Sequence, residues 1–245
     1  MSSPSFNSPM HREESAVPSI SVVIPVLDEE ARIGTCVRCV RALAGFSEII
    51  VVDGGSSDRT VEIAKRVNGI SVRRATRGRA AQMNVGAAMA RGEALLFLHA
   101  DTRLPADADR LVEAALAGNV HWGRFDVAIE GRHPLLPLIA RLMNLRSRLT
   151  GIATGDQAMF VRRGAFAACG GFPPVALMED IAFARALKRL GRPACLRARV
   201  RTSGRRWERH GVLRTVLLMW RLRLAYFLGA DPSRLAHQYG YDASD

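Results

Sequence analysis

Acids placed at strand ends and at a helix start are the chemistry-bearing feature of this chain. The segment FSEIIVVD ends on Asp53 and runs into GGSSD, and ALLFLHAD ends on Asp101. A buried apolar strand that stops on an acid delivers a carboxylate to its C-terminal edge, where open α/β sheets bind ligands. Two such strands suit the hydroxyls of a nucleotide and the metal that accompanies its phosphates. Glu179-Asp180 opens a further helical segment. Adjacent helical residues diverge by about 100°, so only one of the pair can aim fully at a ligand. Arg77 and Arg79 precede a helix of small residues, and a guanidinium binds phosphate oxygens in a bidentate manner. Each group also has a structural reading. Asp53 can close its own Gly-Gly turn, Arg77 and Arg79 can form a solvated basic loop, and Glu179 and Asp180 can simply favour a helix N-terminus. Ser56, Ser57 and Asp58 read as caps of the following helix.

The elements that must position these residues follow from periodicity. Residues 21–26, 49–53, 70–73 and 94–99 read as strands, and 29–44, 60–67, 78–90 and 105–116 as helices. The β-α alternation over residues 20–118 predicts a parallel sheet covered by helices. Further on, residues 122–129 alternate and predict a half-exposed strand. Residues 134–149 predict an apolar helix carrying Arg141, Arg146 and Arg148, residues 158–161 a short strand, and residues 164–169 and 178–190 two helices. Residues 212–229 are strongly apolar, with Arg214, Arg221 and Arg223 between. Such a helix suits a membrane interface, a homodimer contact or plain core packing.

Composition narrows the options. The 245 residues are 48 % hydrophobic, enough for one sizeable α/β domain. Lys plus Arg number 35 against 23 acids, a net charge of +12, with lysine only at Lys65 and Lys188. A basic surface attracts phosphates, nucleic acid or anionic lipid without choosing among them. Cys36 and Cys39 form a C-x-x-C in mid-helix, not at an N-terminus, and with Cys169 and Cys195 they read as ordinary reduced thiols of a cytoplasmic protein. Residues 1–18 read as a flexible Ser- and Pro-rich tail, not a signal peptide. No apolar run is long enough to span a bilayer. After the first strand stands LDEE, without G-x-G-x-x-G, and no G-x-x-x-x-G-K-[ST] follows elsewhere. That argues against NAD(P) enzymes and P-loop NTPases.

SVVIPVLDEE, IIVVDGGSSDRT, GRAAQMNVGAAMARGEALLFLHAD and the MED triplet, in this order and spacing, resemble the family 2 glycosyltransferases of the GT-A fold. HADTRLP and GDQAMFVRR resemble the bacterial arsenosugar-biosynthesis-type subgroup. The resemblance covers roughly residues 20–200. It implies an α/β fold, a mostly parallel sheet flanked by helices, with a catalytic domain over 19–202 and a C-terminal helical extension over 203–245. It implies an inverting hexosyltransferase, with Asp180 as general base beside Glu179. Pro25, Val26 and Glu29 would line the base pocket, Asp53 would bind base or ribose, and Arg77, Arg79, His99 and Asp101 would face the nucleotide sugar. His99-Ala100-Asp101 stands where the family has D-x-D, so Asp101 would hold Mg²⁺ or Mn²⁺ while His99 hydrogen-bonds the donor. Gly54 likewise replaces a family aspartate. Asp156, Gln157 and Trp207 would meet the acceptor. SGRRWERHG is loosely similar to the Q-x-x-R-W of processive members but lacks the glutamine, which disfavours polymerisation. The expected partners are a nucleotide-diphosphate sugar, a hydroxyl acceptor and, through residues 212–229, a membrane surface or a second copy, at the inner face of the membrane. No nucleic acid is expected.

Two other readings compete. A nucleotidyltransferase of related fold would carry a Gly-rich basic loop where LDEE stands. A basic module for nucleic acid or anionic membrane would leave the ordered acid motifs without a purpose.

Overall fold

Each central strand divides its side chains between two cores. The computed structural model describes residues 18–240; the expected tail lies almost wholly outside them. In β1 (Ile20–Val26), Ile20, Val22, Ile24 and Val26 enter one core and Val23 the other. In β2 (Phe46–Asp53), Ile49 and Val51 part from Ile50 and Val52 in the same way. Side chains alternate along a strand, so a run that is apolar at every position needs cover on both faces.

That cover comes from helices. On one face lie α1 (Glu30–Arg41), α2 (Thr60–Lys65), α4 (Ala108–Leu116) and α5 (Leu136–Thr150). On the other lie α3 (Arg79–Met89), α6 (Arg163–Ala168), α7 (Glu179–Leu187), α9 (Val212–Phe227) and α10 (Pro232–Tyr239). α3 comes unusually close to the sheet, because a Cβ on Gly86 would lie 2.3 Å from the Val23 side chain.

The remaining strands are β3 (Ile70–Arg74), β4 (Ala94–Phe97), β5 (Thr102–Arg103), β6 (Trp122–Glu130), β7 (Phe160–Arg162) and β8 (Ala194–Ser203). They join β1 and β2 in one sheet of order β3-β2-β1-β4-β7-β6-β8-β5. β3, β2, β1 and β4 run parallel, β7 runs antiparallel to β4 and β6, and β8 runs parallel to β6. From β1 the chain passes to β2 on one side and later to β4 on the other. The switch point lies outside the carboxyl ends of β1 and β4, where such sheets bind ligands.

One expectation changes. β6 is not half-exposed: its residues from Trp122 to Val127 are all buried. Its polar side chains are paired instead of solvated. Arg124, fully buried, pairs with Asp126, and Arg148 of α5 takes the other oxygen of the same carboxylate. Asn144 of α5 accepts from the Val127 N–H (2.8 Å) and donates to the Val127 carbonyl (2.9 Å). This is where the β6–β8 register slips, between Phe125 and Asp126. An amide side chain here serves the backbone that the bulge leaves. β8 carries no sequence expectation, whereas α10 falls within the helical extension expected over 203–245. In β8, exposed Arg197, Arg199 and Arg201 alternate with more buried residues, and the arginines mask the strand as a charged run. No helix among the described residues is long and apolar enough to cross a membrane.

Candidate active site

The two loops at the sheet's switch point are laced together by short polar side chains. Asp28 accepts from the Ser57 N–H (2.8 Å) and hydroxyl, and its own N–H donates to Ser56 Oγ. Asp58 accepts from the Glu30 N–H at the start of α1 and from the Thr60 N–H at the start of α2. Hydrogen bonding to these donors holds the Asp58 carboxyl below its ordinary value, although desolvation pulls the other way. Asp53 is buried and turned into its own loop. Its oxygens accept from the Gly55 and Ser56 N–H groups, both at 3.0 Å, and from the Ser56 hydroxyl. Behind it, Gln82 of α3 donates to the carbonyls of Val26 (2.7 Å) and Val52 (2.8 Å), tying the ends of β1 and β2. Gly54 leaves room for this, since a Cβ there would come within 3.1 Å of the Gln82 amide.

In front of these loops lies a cleft of about 350 Å³. Pro25, Val26 and Glu29 line it together with Arg79, His99, Asp101, Asp156, Glu179, Asp180 and Trp207. Asp53, Arg77 and Gln157 do not line it. Gln157 is fully buried, and its amide oxygen accepts from the Thr154 N–H within the turn Gly155–Gln157.

One glycine organises the centre. The Gly155 N–H donates to Asp180 Oδ2 at 2.8 Å, and the Ile181 N–H donates to Asp180 Oδ1 at 2.7 Å. A Cβ on Gly155 would sit 2.7 Å from Cε1 and Nε2 of His99. Gly155 therefore lets the imidazole and the Asp180 carboxylate share one small space. His99 Nδ1 lies 3.7 Å from Asp156 Oδ1. Surrounding protein disfavours charge on Asp156, but His99, Arg79 and Arg223 outweigh it and hold its carboxyl below the usual range. Glu179 is buried, and that burial, with Asp180 beside it, pushes its carboxyl up to about 7 despite Arg79. Desolvation opposes charge on Arg79, yet Glu179 and then Tyr239, Asp156 and Asp180 hold the proton on it more firmly than usual.

Among the described residues three non-glycine residues have positive φ, Asp28 (52°), Ala158 (45°) and Met178 (68°), and Met178 lines the cleft. Met178 sets the first residue of α7, so left-handed backbone leads straight into Glu179-Asp180. Such conformations persist only where surroundings over-determine them, and they gather at functional sites.

The fit of a divalent cation depends on Asp101. Its carboxylate lies on the cleft wall and accepts from the Thr102 hydroxyl at 3.3 Å. Among the described residues no three His, Cys, Asp or Glu side chains gather as a metal cluster. Magnesium commonly takes one or two carboxylates and completes its shell with substrate phosphates and water. A single Asp101 beside an open cleft fits that mode.

Several wall residues lie outside the site residues expected from the sequence. Tyr239 of α10 lies under the Arg206 guanidinium, 3.5 Å from ring centroid to Cζ, and its carbonyl accepts from Arg206 Nη2 at 2.9 Å. Arg205 Nη2 comes within 4.0 Å of Glu29 Oε1, reaching across from α8 (Arg205–His210) to the end of β1. Thr215, Met219 and Arg223 of α9 add the remaining wall. Nothing local in the sequence marks these residues, because the helices that carry them are remote from the acid motifs.

Comparison with known proteins agrees with this geometry. Residues 21–169 match the family model described as "Glycosyl transferase family 2". An undecaprenyl-phosphate 4-deoxy-4-formamido-L-arabinose transferase of Pseudomonas paraeruginosa is 34 % identical over 161 residues, 58 % of this chain and 46 % of the relative. A PGL/p-HBAD biosynthesis glycosyltransferase of Mycobacterium bovis is 32 % identical over 175 residues, 63 % of each. The chain thus spans roughly half to three-fifths of these curated relatives. Among solved structures, S. aureus TarS 1-349 in complex with UDP-GlcNAc has a TM-score of 0.61 at 19 % identity, covering 76 % of this chain and 58 % of TarS 1-349. The mannosyltransferase PcManGT of Pyrobaculum calidifontis, in complex with GDP-Man and Mn2+, has a TM-score of 0.62 at 18 % identity, covering 91 % and 69 %. The fold is the GT-A type.

Proposed function

The chain belongs to glycosyl transferase family 2, and on that premise we propose that it transfers a sugar from a nucleotide-diphosphate donor to an acceptor hydroxyl with inversion. The observation that carries the reading is Asp180, held by the Gly155 and Ile181 N–H groups in the same cleft as Asp101. Pro25, Val26 and Glu29 receive the base, and Asp53 acts by fixing the turn beside it. Asp101 would hold Mg²⁺ or Mn²⁺, with His99 left to the donor. A divalent ion there would neutralise charge on the departing diphosphate. Asp180 takes the proton of the acceptor hydroxyl, whose oxygen attacks the anomeric carbon. The bond from that carbon to the diphosphate breaks, and its electron pair leaves with the nucleotide. Glu179, held close to neutrality by burial, spares Asp180 a second full negative charge alongside. Asp156 and Trp207 contact the acceptor or donor sugar. Residues 19–202 form the catalytic domain, and the extension expected over 203–245, whose last five residues lie outside the described ones, closes the acceptor side with its helices. HADTRLP and GDQAMFVRR support the arsenosugar-biosynthesis-type subgroup.

A panel of UDP-, GDP- and dTDP-sugars tests this. Release of a nucleoside diphosphate supports it. Release of pyrophosphate supports a nucleotidyltransferase, and failure of every donor to bind at millimolar concentration overturns it.

The acceptor side also faces a membrane in this reading. Among the exposed large apolar residues, all but Leu190 belong to α5 or to α9 and its cap: Leu138, Leu142, Leu145 and Leu149 on the first, Leu213, Leu217, Trp220, Leu224, Phe227 and Leu228 on the second. Neither helix contains an acid, and exposed Arg141, Arg214 and Arg221 flank the stripes. Apolar stripe plus cations complements an anionic bilayer, at the cytoplasmic face. Sedimentation with phosphatidylglycerol vesicles, lost in Leu217→Glu, supports this. A dimer in solution, abolished by the same substitution and without vesicle binding, overturns it.

A further inference from the structure

Arg146 of α5 and Arg223 of α9 are only partly exposed, and they lie close enough for the charge of Arg223 to act on Arg146. Arg223 lines the cleft with Asp156 and Asp180. Nε and Nη2 of Arg146 and Nε of Arg223 are buried and have no hydrogen-bond partner. Buried guanidinium donors normally find acceptors, and leaving them unmet is costly. The nearby acids are already engaged. Asp126 is taken by Arg124 and Arg148, both Asp180 oxygens accept backbone N–H groups, and Asp156 faces His99.

We propose that Arg146 and Arg223 form an anion-binding site on the acceptor side of the cleft, so that the acceptor bears an oxyanion, phosphate or carboxylate, apart from the hydroxyl that reacts. The word "acceptor" rests on the transferase reading above; the anion site itself rests on the orphaned guanidinium groups. Burial and then Arg223 depress the Arg146 guanidinium to about 10, while Asp180 partly counters them. An oxyanion between the two side chains removes that repulsion and meets the orphaned N–H groups with bidentate geometry. Met143 of α5 and Thr215 and Met219 of α9 line the same cleft, so the anion would lie on the side of α5 and α9.

The test is calorimetric titration of the full-length protein with inorganic phosphate, first alone and then saturated with UDP or GDP. Phosphate is expected to bind in both cases. Arg146→Met and Arg223→Met should each weaken it about tenfold or more, the usual worth of a charged hydrogen bond. Nucleotide affinity should be unchanged. Without phosphate, both variants should melt higher than the parent, because replacing an unmatched buried charge by an apolar side chain relieves strain. A merely structural arginine would give the opposite shift. Methyl phosphate and glucuronate, titrated separately, tell a phosphate-bearing acceptor from a carboxylate-bearing one. Absence of phosphate binding, its displacement by nucleotide, or variants that melt lower with unchanged phosphate affinity would each overturn the proposal. If nucleotides fail to bind while phosphate binds and the variants lose it, the transferase reading falls and the anion site stands.

Discussion

Two regions beside the cleft are built on opposite electrostatic plans. At the carboxyl ends of β1 and β2, Asp28, Asp53 and Asp58 spend their oxygens on backbone N–H groups and hydroxyls of neighbouring loops. At the α5–α9 wall, Arg146 and Arg223 leave guanidinium donors unmet. The first region is internally satisfied and therefore rigid before any ligand arrives. The second is unsatisfied and completes itself only with an anion. A carboxylate can be saturated by local backbone donors within a few residues. A buried guanidinium needs acceptors from elsewhere, so its incompleteness points to a partner.

Substitutions in each region sharpen or break this contrast. The largest effect belongs to the cleft beside both. Asp180→Asn should lower the transfer rate about 10²- to 10⁴-fold, the usual contribution of a general base, while donor affinity measured by titration stays constant. Retained turnover would exclude Asp180 as the base. Next comes Asp126→Ala, which strips Arg124 of its partner in a fully buried position. Denaturant unfolding should show a loss of about 3–5 kcal/mol; a loss under about 1 kcal/mol would mean that the β6–α5 network is not what supports the α5 wall. Gly155→Ala should lower kcat about 10- to 100-fold with little change in melting temperature, because the new methyl displaces the His99 ring. An unaltered kcat would show that this close approach is dispensable. In the satisfied region, Asp28→Ala should cost about 1–2 kcal/mol and leave the chemistry intact once donor is saturating.

The last effect is a pH dependence. Glu179 has its carboxyl raised from 4.5 to about 7, mainly by burial and then by Asp180. Between those values the folded protein binds more protons than the unfolded chain, so stability falls as pH rises through that window. Glu179→Gln should flatten this slope and raise the melting temperature by a few degrees at pH 8 but not at pH 4. An unchanged slope would mean that Glu179 is not the group responsible.

The N-terminal half was legible because its signals are local. Apolar β-branched runs ending in Asp53 and Asp101, punctuated by glycines, specify strand, turn and helix within about ten residues each. β6 misled because alternation says which side chains share a face, not whether a second layer covers the polar face. Arg124 and Asp126 are buried only because α5 brings Asn144 and Arg148 against them. β8 was hidden by arginines that a strand beside the sheet edge keeps in water.

Read alone, the chain determined the alternating architecture, the acids at the strand ends and the arginine-rich character of its C-terminal third, since each depends on residue type and short-range period. Tertiary structure alone decided that Asp53 turns inward while Asp101 and Asp180 face one cleft, and that Gly155 seats His99 against Asp180. It also decided that arginines 77 positions apart lie close enough for the charge of Arg223 to act on Arg146. Such meetings are set by how helices pack across a sheet, and a side chain's type carries no record of what distant segment will lie against it.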